Sequence, residues 1–156
     1  MDLQTYLDNA VQVTRLAKVG QSDQLTLGEL IVKLESLIDK RKYLTDNDDE
    51  KEPEIVFDFE YLFPTKFDSW RGFYRELALN FTSPASKQQP MKLSEFLALC
   101  QSTVGKIFEG YKGGDFTMGK HTPIWVANYG NSGHTALVEV VDADYEIVLI
   151  TGYRES

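Results

Sequence analysis

Cysteine and histidine, the residues that most often build disulfides and zinc sites, are scarce in this chain. Its 156 residues include one cysteine, Cys100, and two histidines. A single cysteine cannot form a disulfide within the chain, and with two histidines it cannot complete a tetrahedral Cys/His zinc site. We therefore expect neither a metal site nor a cofactor.

Long apolar runs and an excess of positive charge are also missing. No apolar segment approaches the ~18 residues of a membrane-spanning helix, and Met1–Asp8 lacks the basic start and apolar core of a signal peptide. The 24 acidic and 16 basic residues give a net charge of −8, which repels duplex DNA and anionic membranes. These features predict a cytoplasmic protein that binds neither duplex nucleic acid nor a membrane.

Apolar residues at helical spacing predict three helices. The first covers 2–18, the second begins at the capping box Thr26–Glu29, and the third follows the loop 84–90. The stripes of the second and third helices are formed by Leu27, Leu30, Ile31, Leu34 and Ile38, and by Leu93, Phe96, Leu97, Cys100 and Val104. We expect one domain over 26–156, with the helix in 1–25 as an extension. Because a domain complete from Thr26 onward does not need the apolar stripe of that extension, we expect it to pack in a homo-oligomer.

Runs rich in β-branched and aromatic residues predict the strands. They lie at 55–61, 74–81, 123–128, 135–142 and 145–151, with a turn-rich segment at 64–72. The expected fold is α+β, an antiparallel sheet of about five strands packed against two or three helices. Thr26–Ile31 and Lys92–Leu97 also match in sequence, and a strand, a polar turn and a strand follow each. The match indicates a duplicated helix–strand–turn–strand unit; chance similarity of two amphipathic helices is the alternative.

A glycine-rich loop is the best candidate site in the chain. Five of the eleven glycines lie between Gly105 and Gly119. Clustered glycines permit positive φ and free backbone N–H groups to wrap an anion. The candidate ligand-binding residues of this loop are Tyr111, Lys112, Gly113, Gly114 and Asp115.

The turn within Asp68–Tyr74 is the second candidate. Exposed Trp70 beside Arg71 would supply a stacking plane and a bidentate fork for an anion, with Ser69 as a neighbouring hydroxyl. The alternative places Trp70 in the core and pairs Arg71 with a surface acid.

Polar residues around the 129–133 turn complete the candidate set. Asn128 and Asn131 offer amide groups that can read a base or ribose, and His134 is a candidate ligand contact. The alternative is that these polar residues only form the turn of a β-hairpin, where such residues are common.

No catalytic constellation stands out. Cys100 lies on the apolar stripe of its helix, where a buried and unreactive thiol is expected. No spacing among the 24 acidic residues selects a catalytic pair. We therefore assign no catalytic residue and expect a protein that is not an enzyme, with a phosphoesterase-type hydrolase as an alternative.

Three stretches carry a resemblance to known proteins. They are Asp68–Tyr74 (DSWRGFY), Gly110–Met118 (GYKGGDFTM) and Thr122–Gly130 (TPIWVANYG). They look like the patterns of small, mostly uncharacterised accessory proteins of bacteriophages, and the resemblance runs from about Thr26 to Arg154. Phage proteins of this size often resemble counter-defence factors, either sponges that sequester nucleotide immune signals or inhibitors that coat a defence nuclease. The resemblance implies the cytoplasm of the host cell as the place of action.

The expected function is therefore anti-immune: the protein binds and sequesters a small anionic ligand, a nucleotide signal, without catalysis. Phosphates would contact the cations Arg71 and Lys112 and the backbone amides of Gly113–Gly114. A base would stack on Trp70 or Tyr111. The alternative is an acidic inhibitor whose segment Asp46–Glu52 occupies a basic groove of a host defence complex.

Overall fold

The computed structural model describes residues 24–44, 52–59, 61–110, 112–128 and 134–154. These segments form α1 (Leu27–Leu44), β1 (Glu54–Phe57), β2 (Phe63–Trp70), β3 (Phe73–Thr82), α2 (Leu93–Thr103), β4 (Ile107–Glu109), β5 (Asp115–Thr117), β6 (Ile124–Val126), β7 (Thr135–Asp142) and β8 (Glu146–Tyr153), with a short 3-10 helix at Pro84–Ser86. The predicted helix over 2–18 lies outside the described residues. So do Asp46–Lys51, Tyr111 and Asn131.

Both described helices begin where the sequence predicts them. The backbone N–H of Thr26 donates to Glu29 Oε1 (3.0 Å), and the N–H of Glu29 donates to Thr26 Oγ1 (3.2 Å), which is the predicted capping box. At the start of α2 the N–H of Lys92 donates to Glu95 Oε1 (3.0 Å). Neither helix has the length and apolarity needed to cross a membrane.

The main sheet has six strands and mixed direction. Its order is β1-β8-β7-β6-β3-β2, and β1 pairs with β8, and β3 with β6, in parallel. The expectation of helices packed with a sheet is confirmed, whereas that of five antiparallel strands is wrong. The reason is the length of the connections: α2, β4 and β5 lie between β3 and β6, which is chain enough for a crossover that brings β6 back in the direction of β3.

The two outer strands of the sheet meet, so that the sheet is nearly a barrel. The N–H of Phe57, at the end of β1, donates to the carbonyl of Leu62, just before β2 (2.8 Å). Along the same edge of β1, the N–H of Ile55 donates to the carbonyl of Met91 (2.8 Å). The predicted turn-rich segment 64–72 is wrong for most of its length, because β2 runs to Trp70 and only two residues separate it from β3.

The glycine-rich segment is a short hairpin rather than an open loop. Strands β4 and β5 form a separate two-stranded antiparallel sheet in which Phe108 lies opposite Phe116. With this hairpin included, five described strands follow α2 and three follow α1. The two halves therefore share the start of a helix but not the order of elements that a duplication predicts.

Alternation along the strands divides the buried residues between two faces. Leu77 and Leu79 of β3 lie in the core beneath the helices, with Leu27, Leu34 and Phe96. Ala78, between the two leucines, lies in a second cluster. That cluster consists of Trp70, Ala78, Trp125, Ala127 and Ala136. The face away from the helices thus carries two large indoles among small side chains.

Candidate functional site

The structure buries the predicted stacking residue Trp70. Its exposed fraction is 1%, and its indole ring is parallel to that of Trp125, with the ring centroids 4.0 Å apart. The interpretation of Trp70 as an exposed stacking plane is therefore wrong, and the alternative that places it in the core is confirmed. The physical reason is that β2 continues to this residue, so its side chain lies on the sheet face where Ala78 and Ala136 leave room for two indoles.

His134 belongs to the same aromatic cluster. Its ring centroid is 6.3 Å from that of Trp70, 6.2 Å from that of Trp125 and 5.9 Å from that of Tyr153. Within the described part of the chain, His134 Nδ1 and Ser69 Oγ are buried and have no hydrogen-bond partner. The structure thus joins His134 to Trp70 as an aromatic packing unit.

The glycine hairpin closes on its own backbone. Gly113 and Gly114 have φ of 88° and 89°, which confirms the expected positive φ. The N–H of Gly113 donates to the carbonyl of Gly110, and the N–H of Gly110 donates to the carbonyl of Gly114, each at 3.0 Å. The Gly113 amide is therefore used by the turn and does not face a ligand. Lys112 lies exposed at the tip.

The hairpin lies beside the turn between β2 and β3. The ring of Phe116 in β5 is parallel to that of Tyr74 at the start of β3, with centroids 6.3 Å apart. Arg71, in that turn, is exposed, as is Asp115 at the start of β5. The predicted residues of the hairpin and the turn thus come to one end of β3.

Asn128 lies at the other end of β3, in a polar cleft. Its Oδ1 accepts a hydrogen bond from the backbone N–H of Phe81 (2.9 Å). The cleft has a volume of about 590 Å³ and is lined by Leu62, Thr65, Lys66, Asn80, Phe81, Thr82, Ser83, Gln88 and Asn128. Of the predicted site residues that the structure describes, Asn128 is the one that lines this cleft.

Asp68 fixes two of the polar side chains in this region. Asn80 is 5% exposed, and its Nδ2 donates to Asp68 Oδ2 (2.8 Å). Lys66 Nζ lies 3.6 Å from the same oxygen, and its side chain is 66% exposed. An exposed ion pair of this length contributes little to stability. The lysine is thus held near the cleft while its amine stays accessible.

The charge of the polar cleft differs from that of the whole chain. Seven of its nine described lining residues are polar, and Lys66 is the one that is charged. The chain carries a net charge of −8. Asp68, 3.6 Å from that ammonium group, offsets part of its charge. The hydroxyls, the amides and the exposed ammonium group together suit an anionic or strongly polar ligand.

Most of this cleft could not be predicted from the sequence, because its residues come from separate segments without a shared motif. One signal was available. Asn80 is a polar residue that directly follows the apolar run Leu77–Leu79, and a buried amide needs a partner. That signal marks Asn80 as special but does not indicate which residues surround it.

A second cleft lies next to the first. Its volume is about 520 Å³, and it is lined by Glu54, Val56, Phe57, Asp58, Phe59, Tyr61, Phe63, Pro84, Pro90, Glu146 and Val148. Leu62, just before β2, lines the first cleft, and Phe63, the first residue of β2, lines the second, as expected where successive side chains point to opposite sides. The start of β2 is therefore the wall between the two clefts.

Cys100 is fully buried, and this burial raises the pKa of its thiol well above the ordinary range. Among the described residues, His, Cys, Asp and Glu side chains form no group of three or more suited to a metal ion.

Comparisons with protein families, with curated proteins and with solved structures found no match.

Proposed function

We propose that the protein binds a small anionic ligand, a nucleotide, in the polar cleft and sequesters it without chemical change. The observation that carries this proposal is the charge of the cleft, where Lys66 is the charged group among the described lining residues. Lys66 is paired with Asp68, which is not among the described lining residues, and its exposed ammonium group can still contact a phosphate, even on a chain with a net charge of −8.

The dimensions and chemistry of the cleft support a ligand of nucleotide size. Its volume of about 590 Å³ falls within the usual range for small-molecule sites. The side chains of Gln88 and Asn128 carry amides that suit the hydrogen-bonding edge of a base. Leu62 and Phe81 supply apolar surface for its faces, and Thr65 and Ser83 carry hydroxyls that suit phosphate or ribose.

This site differs from the one that the sequence favours. Trp70 is stacked on Trp125 and the Gly113 amide closes its own turn, so neither supports a base or a phosphate at the hairpin. Arg71 and Lys112 stay the alternative place for an anion. The resemblance to phage accessory proteins supports a counter-defence role for the sequestration, with homo-oligomer formation as a further prediction.

Isothermal titration calorimetry with cyclic and linear nucleotides tests the proposal. Lys66→Ala and Gln88→Ala should each weaken binding, the former by about 1.5–3 kcal/mol, as expected for a charge-assisted hydrogen bond. Lys112→Ala is the matched control, because it removes one exposed cation outside the cleft and should bind with full affinity. If Lys112→Ala or Arg71→Ala loses binding while Lys66→Ala keeps it, the hairpin is the site and the cleft is not.

A further inference from the structure

The second cleft has chemistry opposite to that of the first. Three of its eleven described lining residues are carboxylates, Glu54, Asp58 and Glu146, and the other eight are aromatic, proline or valine residues. No lysine or arginine is found among the lining residues that the structure describes. Whatever occupies this cleft must offer positive charge together with apolar surface.

Two of the carboxylates lie directly side by side. Glu54 and Glu146 are partners in the parallel pairing of β1 with β8, so their side chains leave the sheet on the same face. Neither forms an ion pair with another residue in the described segments. Like charges at paired positions destabilise a sheet, and a cation from outside would relieve this repulsion. Asp58 differs, because it accepts hydrogen bonds from the N–H (3.0 Å) and the hydroxyl (2.7 Å) of Thr151.

The opposite end of the cleft is aromatic. The rings of Phe57 and Phe59 are stacked with centroids 5.3 Å apart, and Tyr61 is 87% exposed. Tyr61 has φ of 56°, in the left-handed region that bulky residues rarely adopt. Backbone in this region is energetically unfavourable for a residue with a side chain, because the Cβ approaches the following carbonyl oxygen. The fold thus holds an exposed tyrosine at the cleft in a strained conformation.

We propose that this cleft, with Glu54 and Glu146 at one end and Phe59 and Tyr61 at the other, binds an extended peptide segment of another protein that carries a lysine or arginine and an apolar side chain. The acidic and aromatic ends are separated by the length of β1, roughly 10 Å at 3.3 Å per residue. An extended peptide in the polyproline II conformation has three residues per turn, so two side chains three residues apart lie on the same side of it and are separated by roughly 9 Å. A single small cation does not span the distance between the two ends of the cleft.

Side chains, rather than backbone hydrogen bonds to β1, bind this peptide. The outward N–H groups of Ile55 and Phe57 in β1 already donate to Met91 and Leu62, so β1 does not accept a further strand along that edge. Recognition therefore depends on the carboxylates for the cation, and on the aromatic rings for the apolar group and for cation–π contact. This site is independent of the nucleotide proposed for the first cleft.

Fluorescence anisotropy with a labelled peptide tests the proposal. The probe is an eight-residue Gly/Ser peptide with arginine and leucine three positions apart, and its control has glutamate in place of arginine. The full-length protein should bind the arginine probe with a Kd below about 1 mM, and should bind the glutamate probe at least about tenfold more weakly. No binding of the arginine probe up to that concentration overturns the proposal.

Variants locate the binding. Glu54→Gln with Glu146→Gln should weaken binding of the arginine probe about tenfold or more. The matched control is Glu35→Gln with Asp39→Asn, which removes the same charge from exposed positions on α1 and should change binding less than about twofold. Equal losses in the two double variants would show non-specific attraction to an acidic protein and overturn the proposal.

Two further measurements separate a peptide from a small cation. Tyr61→Asn keeps a residue that tolerates positive φ, and it should weaken the arginine probe several-fold without lowering the melting temperature. Arginine amide, added as a free competitor, should displace the probe poorly. If Tyr61→Asn binds unchanged, or if arginine amide competes as well as the unlabelled peptide, the cleft does not recognise a peptide.

Discussion

The indole rings of Trp70 and Trp125 lie parallel, with their centroids 4.0 Å apart and 13° between their planes. Trp125 Nε1 also donates to Glu76 Oε1 (2.7 Å), which satisfies the one polar group of its ring. Trp70 and Trp125 are 1% and 3% exposed. The pair is thus a packed unit of the sheet face, and changes around it should affect folding before they affect binding.

The first prediction concerns Gly72, which lies against the ring of Trp70. A Cβ at this position would overlap Trp70 Cη2, and the buried, stacked ring cannot move aside without disturbing its contact with Trp125. Gly72→Ala should lower the free energy of unfolding by about 1–3 kcal/mol, as overpacking usually does. Denaturation in urea measures the change. Gly119→Ala is the control, because no heavy atom lies within 4 Å of its added Cβ, and the two variants should differ clearly. Equal midpoints for the two variants would contradict the close packing of Gly72 against Trp70.

The second prediction concerns the ion pair that joins α1 to the turn after β7. Arg41 Nη2 lies 2.5 Å from Asp142 Oδ1 and 2.5 Å from the carbonyl oxygen of Asp144, and the Arg41 and Asp142 side chains are 21% and 14% exposed. A double-mutant cycle of Arg41→Ala and Asp142→Ala should give a coupling energy of about 1.5–3 kcal/mol, as expected for hydrogen bonds to charged groups.

The more exposed pair of Lys33 and Glu139 serves as the control for that cycle. Lys33 Nζ lies 2.9 Å from Glu139 Oε1, and the two side chains are 39% and 26% exposed. The same cycle there should give under about 1 kcal/mol, because water screens the pair. A larger coupling for Lys33 and Glu139 than for Arg41 and Asp142 would refute the role assigned to burial.

The third prediction concerns pH and Cys100. Burial raises the pKa of this thiol, so the folded protein keeps the proton under conditions where the unfolded chain ionises, above about pH 8.5. The folded state then binds more protons than the unfolded state, and the free energy of unfolding falls as the pH rises. At about 1.4 kcal/mol per pH unit, roughly 2 kcal/mol is lost by pH 10.

Comparison with Cys100→Ala isolates this effect, because the variant has the same other titrating groups. The free energy of unfolding of the wild type, relative to that of Cys100→Ala, should fall by about 2 kcal/mol between pH 7.5 and 10. Urea denaturation at several pH values measures it. Parallel pH profiles for the two proteins would show that the thiol ionises freely in the folded state.

The sequence predicts the helices well because their signals are local. The stripe of Leu27, Leu30 and Leu34 and the capping pair of Thr26 and Glu29 lie within one short segment, and the structure places all of them as expected. The burial of Cys100 follows from the same periodicity. Strands β7 and β8 are likewise close to their predicted positions.

Strand pairing and the polar cleft could not be predicted in this way. The parallel pairing of Ile55 with Ile147 joins residues from opposite ends of the domain, and alternation within either strand does not identify the partner. Lys66, Asn80 and Asn128 are likewise far apart in the chain and meet only through the sheet. The sequence could not decide between an exposed and a buried Trp70, because a tryptophan near a polar turn has the same sequence context whether its strand stops before it or includes it.

The covered edge of β1 has a consequence for the behaviour of the protein at high concentration. The outer strand of an open sheet presents unpaired N–H groups on which a second molecule can add a strand, and this is a common route to aggregation and domain swapping. In β1 the outward donors Ile55 and Phe57 already bond to Met91 and Leu62. A neighbouring molecule therefore cannot add a strand along this edge. The protein can reach high concentration without polymerising through β1.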